Sequence, residues 1–431
     1  MFKNAKFARY SIVLMLLGVC FMFFYSGLQV DHLNILTPYL SQNYGWDDLK
    51  ITNPVTYASL VCIILYLIIG ALFVKFGVKK VLLPCLILLA LGCIGIATAG
   101  DNYGLYFVSL FIVRIMVVPL QMGGFMLSAN WFIKYRGRVL GIVTAGSPLF
   151  SIAGIGLLTA VANSLGLKTA YMTIAGVIIL LGVLVAFFIK DRPEDAGLFP
   201  DGADRAPVSE IEETEDVTLK MILRDSRAWK LIVSYGILQF VIVAMMAYMA
   251  VRYITLSTPE DVPNLFVSKA LIWLSIGAAC GIPMSYVLGW IDDKLGSIKA
   301  SLVLIVLYFF AVIPLALMPV GGSVPLMVVW AFGVACMTGG MPTMHPCVTS
   351  YVYGRKQYMA ANKWIMTIQA IPMAFAVAFM GAFNQMGQLT NAYYVLMGLL
   401  VVAFITVLTM RNIPDANAAD REYGAKTNKA A

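Results

Sequence analysis

The chain alternates between long apolar stretches and short polar breaks from end to end. Reading each stretch of about 20 mainly apolar residues as one membrane-crossing helix places spans at about 10–39, 52–74, 81–99, 104–131, 139–162, 170–189, 229–256, 265–290, 299–319, 323–349, 361–383 and 391–410. The one long polar break, about 190–228, carries ten acids from Asp191 to Asp216 and separates two groups of six spans. The prediction is an all-α polytopic membrane protein of twelve transmembrane helices. It divides into a six-helix bundle over 1–189, an acidic linker over 190–228, a second six-helix bundle over 229–411 and a tail over 412–431. Within the linker, Leu219 to Leu223 is expected to form a short amphipathic helix on the membrane surface.

Composition agrees with this solvent assignment. The 431 residues are 61% hydrophobic and 12% charged, against roughly 25% charged in ordinary soluble chains. Lys3, Lys6 and Arg9 precede the first apolar stretch as they would in a secretory signal, but no small-residue cleavage site closes it, so it is expected to be a retained helix. Twelve spans put both termini on one side. With the linker, that side gathers all 30 Lys and Arg except Lys50, Arg114, Lys168, Arg252 and Lys269, so both termini are expected in the cytoplasm of a cell (inner) membrane protein. The net charge of +8 thus reports orientation, and no nucleic-acid partner is expected. Seven cysteines stand singly inside apolar stretches and only two histidines occur, His32 and His345. Metal centres and hydrolytic triads have little to be built from, and neither an enzyme, a cofactor nor a metal is expected.

The strongest internal pattern is a repeat. Gly70, Lys75, Gly77 and Lys80 follow the second span, and Gly289, Lys294, Gly296 and Lys299 follow the eighth, each offset by 219 positions. A constant offset across half the chain predicts two halves of like topology. With Asp293 beside Lys294, the second copy resembles the G-x-x-x-D-(R/K)-x-G-R-(R/K) loop of the major facilitator superfamily. In the first copy Val74 stands in the place of the acid. A finer resemblance, to the branch of oxalate/formate antiporters and monocarboxylate porters, lies in Asn130-Trp131-Phe132 and Arg136-Gly137-Arg138. Those relatives hold anions with cations in spans 8 and 11. Here the middles of both are uncharged, with Lys269 near one end of span 8 and Lys363 near one end of span 11.

Charges inside apolar spans are costly and so mark function. Arg114 lies about ten residues into span 4, about 15 Å deep at 1.5 Å per residue, where a guanidinium can hold a carboxylate bidentately. The other reading is a structural arginine bonded to neighbouring carbonyls. Asp31 is the one carboxylate within a predicted span, either a proton carrier or, if span 1 ends earlier, a surface group. Subtracting 219 from Arg252 gives position 33, so Asp31 and Arg252 are expected at pseudo-equivalent heights, as a pair that closes an outer gate. Tyr25, Gln29, Gln121, Tyr248 and Gln369 are candidate substrate contacts, with Gln239 and Asn384 as weaker ones. Gly141, Gly146 and Pro148 in span 5, and Gly277, Gly281 and Pro283 in span 8, are expected to let two facing helices approach and bend.

The expected function is a monomeric secondary transporter that moves a small organic anion, a carboxylate, by alternating access, as proton symport or exchange. Efflux of amphipathic compounds is the alternative, favoured by aromatic and methionine content; a transport-inactive membrane sensor is a third reading.

Overall fold

The computed structural model describes residues 4–46, 48–203, 217–256 and 263–418. The middle of the linker and the end of the tail therefore lie outside the described residues, as does the side chain of Lys269.

The spans form where the hydropathy puts them, with ends that run a few residues further. Span 1 begins as Ala5–Ser26, widens into a π-helical turn over Gly27–Asp31 and continues as Leu33–Tyr44. Asp48–Phe76, Val78–Ala99 and the pair Tyr103–Met116 and Val118–Trp131 make spans 2 to 4. Span 4 breaks at Val117, two residues before Pro119, which has no amide to continue the ladder. Span 5 starts at Arg136–Thr144, passes a second π-helical turn at Phe150–Gly154, and runs toward Gly166, whose φ of 85° turns the chain into span 6. Ser226–Thr255, Pro263–Leu295 and Ser297–Leu317 are spans 7 to 9. A helical run from Val324 reverses at Gly354 (φ 71°) and so supplies spans 10 and 11, the latter ending in Ala376–Gln385, before Leu389–Leu408 closes the set as span 12.

The result is twelve transmembrane helices in two six-helix bundles. Two separate buried cores match that division, one built mainly from spans 1 to 6 and one from spans 7 to 12. The halves also repeat each other in backbone detail. Gly77 has φ 84° and ψ 166°, and its mate Gly296 has φ 83° and ψ 155°. Only glycine takes this conformation without strain, which explains why the loop keeps a glycine at that place in both halves.

The second copy of the motif is not a loop at its acid: Asp292 and Asp293 lie beyond the apolar run of span 8, predicted over 265–290, yet they stay helical and occupy the last turn before Gly296. The start of the linker also differs from a solvated tether. Residues 190–203 pack against the helix ends: Trp131 Nε1 donates to the Lys190 carbonyl at 3.0 Å, Lys6 Nζ to that of Ala196 at 2.9 Å, and the amides of Ile133 and Lys134 to Asp201 at 3.0 and 2.7 Å. A short helix does form at Leu219–Arg224, capped by Thr218.

Candidate functional site

Inside the N-terminal half, spans 1, 2 and 4 bring together a polar cluster around Arg114. Its Nη2 lies 3.4 Å from Ser59 Oγ, while Nε and Nη1 are buried and without a protein partner among the described residues. Cys62 Sγ is 4.0 Å from the Arg114 carbonyl, and Tyr66 donates to Gln121 Oε1 at 3.5 Å. Tyr25 pairs with both Tyr66 and Gln29 and lies within electrostatic reach of Arg114. Four predicted residues, Tyr25, Gln29, Arg114 and Gln121, thus meet in one place. Ser59, Cys62 and Tyr66 of span 2 complete the wall and were missed. Their spacing of i, i+3 and i+7 is the signal that could have found them, since it puts all three on one helix face.

The remaining predicted residues lie outside this cluster. Gln369 is fully buried, bonded to His345 Nε2 at 2.9 Å and donating to the Leu231 carbonyl at 3.2 Å, so it ties spans 7, 10 and 11 together. The Tyr248 hydroxyl packs against Gly381 of span 11. Asp31 stands half-buried at the end of the π-helical turn in span 1, next to His32, whose Nδ1 is 2.9 Å from the Tyr171 hydroxyl. Arg252 donates from Nε to the Leu315 carbonyl at 3.0 Å and lies over the Tyr393 ring, both within its own half.

At the face that carries the linker, the halves are shut against each other. Asp293 accepts from the amides of Gly137 and Arg138 at 2.9 and 3.3 Å and pairs with Arg138 Nε at 3.1 Å. Arg136, buried, donates to Ser350 Oγ at 2.7 Å and to the Cys347 carbonyl at 3.0 Å. Its mate at the same 219 offset, Arg355, reaches the opposite way, to the Asn130 carbonyl at 2.7 Å and to both oxygens of Glu194 at 3.0 Å. Gly137 and Gly289 abut backbone to backbone, and so do Gly141 and Ser285, so a methyl on either span 5 glycine would collide with span 8. Gly277 and Gly281, by contrast, serve the packing of span 8 on span 10, and Gly146 that of span 5 on span 1. Deeper, the Thr144 and Thr343 hydroxyls meet at 2.7 Å.

The loop motif acts differently in its two copies. Burial pushes the Asp293 carboxyl up to about 7, helped by neighbouring Asp292 and opposed by the Gly137 and Arg138 donors. In the first copy, where Val74 replaces the acid, Asp191 from the start of the linker supplies a carboxylate instead, accepting from the Lys79 amide at 2.8 Å and filling the space beside Gly77. Burial raises its pKa too.

The sequence profile described as Major Facilitator Superfamily matches residues 15–377. The chain belongs to that superfamily. Among solved structures, it resembles the proton:xylose symporter XylE bound to 6-bromo-6-deoxy-D-glucose, with a TM-score of 0.74 and 14% identity over 97% of this chain and 99% of that one. A variant of the E. coli fucose:proton symporter FucP aligns with a TM-score of 0.68 and 15% identity over 93% of this chain and 98% of that one. FucP in its outward conformation gives 0.66 and 16%, over 93% and 99%. No curated protein matches the sequence. At these identities the likeness establishes the fold, and the superfamily makes the chain a transporter of small molecules in a membrane.

Proposed function

We propose that this transporter carries a small organic anion with a single carboxylate, held by Arg114 between spans 1, 2 and 4. The observation that carries the reading is the pair of buried guanidinium nitrogens, Nε and Nη1, that have no protein partner among the described residues, on a cation about ten residues into span 4. Such a group needs an anion or several acceptors to offset its desolvation. Around it the polar groups are neutral: Tyr25, Gln29, Tyr66 and Gln121 can bind hydroxyl or carbonyl groups of the remainder of the substrate. One guanidinium with these neutral neighbours suits a monoanion better than a dicarboxylate.

Alternating access by the rocking of the two halves fits the shut linker face, which leaves the site to be reached from the other side in this conformation. With the termini in the cytoplasm, that side is the outside. Asp31 takes the coupling proton in symport, or, with Arg252, closes the outer rim once the linker face opens. Exchange without a proton is the second mode, supported by the likeness of Asn130–Phe132 and Arg136–Arg138 to the antiporter branch. A neutral polyol or sugar is a second substrate reading, favoured by the same neutral Tyr and Gln wall.

The test is uptake into proteoliposomes of labelled mono- and dicarboxylates, neutral sugars and lipophilic dyes. Each is run with an acid-outside gradient or with unlabelled substrate inside. Monocarboxylate uptake that follows the gradient and is lost in Asp31→Asn supports symport; uptake that needs only internal substrate supports exchange. Transport confined to sugars or dyes, untouched by Arg114→Gln, sinks the anion reading.

A further inference from the structure

Two π-helical turns occur among the described residues, Gly27–Asp31 in span 1 and Phe150–Gly154 in span 5, and they lie against each other. The contact is specific. The Phe150 ring, 3% exposed, sits in the slot left by the missing side chain of Gly27, where a Cβ would overlap the ring itself. Gly154 leaves room for the same ring carbons, where an added Cβ would come within 2.6 Å of them. Phe23 meets the same ring edge-on at 4.9 Å between centroids. Spans 1 and 5 approach along the whole seam, with Gly18 on Val143 and Gly146 on the Val19 carbonyl.

A π turn holds one more residue than an α turn, and such turns occur mostly as single bulges, frequently at functional sites. Returning to α geometry rotates everything beyond the bulge by roughly 100° and shifts it by about 1.5 Å, the increment of one helical residue. The span 1 bulge carries Gln29 and ends at Asp31. It is closed by the amide of His32, bonded to the Gly27 carbonyl at 2.9 Å, while the His32 ring is anchored to Tyr171 of span 6. Span 5, which supplies the ring, is also the helix whose Gly137 and Gly141 form the seal against span 8.

We propose that Phe150 is a positioning residue: seated on Gly27, it keeps span 1 in its π register and so sets the angular position of Gln29 and Asp31. When span 5 moves off span 8, the ring is withdrawn, the turn relaxes toward α geometry, and Asp31 is re-aimed. The opening of the linker face is thereby transmitted to the coupling group by one ring in one slot. This inference rests on the proposed function in taking Asp31 as the coupling residue, but its test needs no substrate.

The experiment labels a single cysteine at Asp31→Cys, in a protein otherwise free of cysteine, with a water-soluble maleimide. Rates are compared with and without Gly27→Ala, which excludes the ring, Phe150→Ala, which empties the slot, and the milder Phe150→Leu. Leu158→Ala, a buried change further along span 5, is the control for general loosening. The expected result is a change in labelling rate of about tenfold or more, in the same direction for Gly27→Ala and Phe150→Ala, with an intermediate effect for Phe150→Leu and none for Leu158→Ala. Unchanged rates in folded Gly27→Ala and Phe150→Leu proteins overturn the proposal, and so does an equal change in the control. If the wild type moves no carboxylate, the substrate reading fails while the labelling pattern still decides this one.

Discussion

Closure of the linker face should be favoured by acid, and Asp293→Asn should abolish that response. In the closed state the Asp293 side chain is 4% exposed and burial holds its carboxyl at about 7; released into water it returns to the ordinary aspartate value of 3.8. The closed state therefore has the higher proton affinity. Its advantage is fully present below about 4, declines as pH rises, and is lost above about 7. A difference of about three pKa units at about 1.4 kcal/mol each gives roughly 4 kcal/mol as the upper limit of this swing. Asparagine keeps an oxygen to accept from the Gly137 amide but cannot ionise. What it gives up, the contact to the part-exposed Arg138, is about 1 kcal/mol or less. Spin labels on Lys80→Cys and Lys356→Cys, one in each half, report the closed population by their distance distribution. The wild type should shift from mostly closed at pH 5 toward open at pH 8, while Asp293→Asn stays closed at both. Asp191 and Asp201 are also raised by burial, so the difference between the two proteins isolates Asp293. A pH response of equal size in Asp293→Asn, or one of opposite sign in the wild type, refutes the reasoning.

Other consequences follow from the same geometry. Arg114→Gln removes charge-assisted bonds of roughly 1.5–3 kcal/mol, so the KM for a transported monocarboxylate should rise about ten- to a hundredfold with little change for any neutral substrate. Arg136→Gln should open the seal over Cys347, which is fully buried under that arginine; its labelling by a permeant maleimide, with the other cysteines removed, should speed up at least tenfold. Gly77→Ala should lower Tm more than Gly296→Ala. Both bear a positive φ, but a Cβ at Gly77 also strikes the Asp191 carboxylate, whereas nothing lies within 4 Å at Gly296. Equal losses would mean that backbone strain alone, about 1–3 kcal/mol, governs both sites.

Hydrophobic length made the fold legible, because lipid leaves few alternatives to a helix of about 20 apolar residues. The 219-residue offset was legible for the same reason that Gly77 and Gly296 share a backbone conformation: no other residue fits the turn. The site was only half visible. Arg114 stood out by its cost in lipid, whereas Ser59, Cys62 and Tyr66 carry no charge, and a neutral polar residue in a bundle looks the same whether it faces a substrate or a neighbouring helix. Gln369 shows the converse, a plausible contact whose bonds go to His345 and Leu231. The seal was hidden because its bonds join residues some 150 to 225 positions apart. The offset could nonetheless have singled out Arg136 and Arg355 as mates, although nothing in one strand of sequence says that each reaches into the opposite half.

That reciprocity has a consequence for how the machine comes apart. An arginine from each half inserted into the other is the arrangement of an isologous dimer interface, in which residue i meets j and j meets i. Such an interface has no preferred order of release. Here the linker makes the two sides differ in kind: Glu194 bonds Arg355 directly on top of its backbone acceptor, while Arg136 bonds a hydroxyl and a carbonyl and meets the charges of Asp292, Asp293 and Asp415 only through space. A clasp that looks symmetric thus has one arm tied to the linker itself, so the short stretch of chain joining the halves makes a duplicated structure unequal.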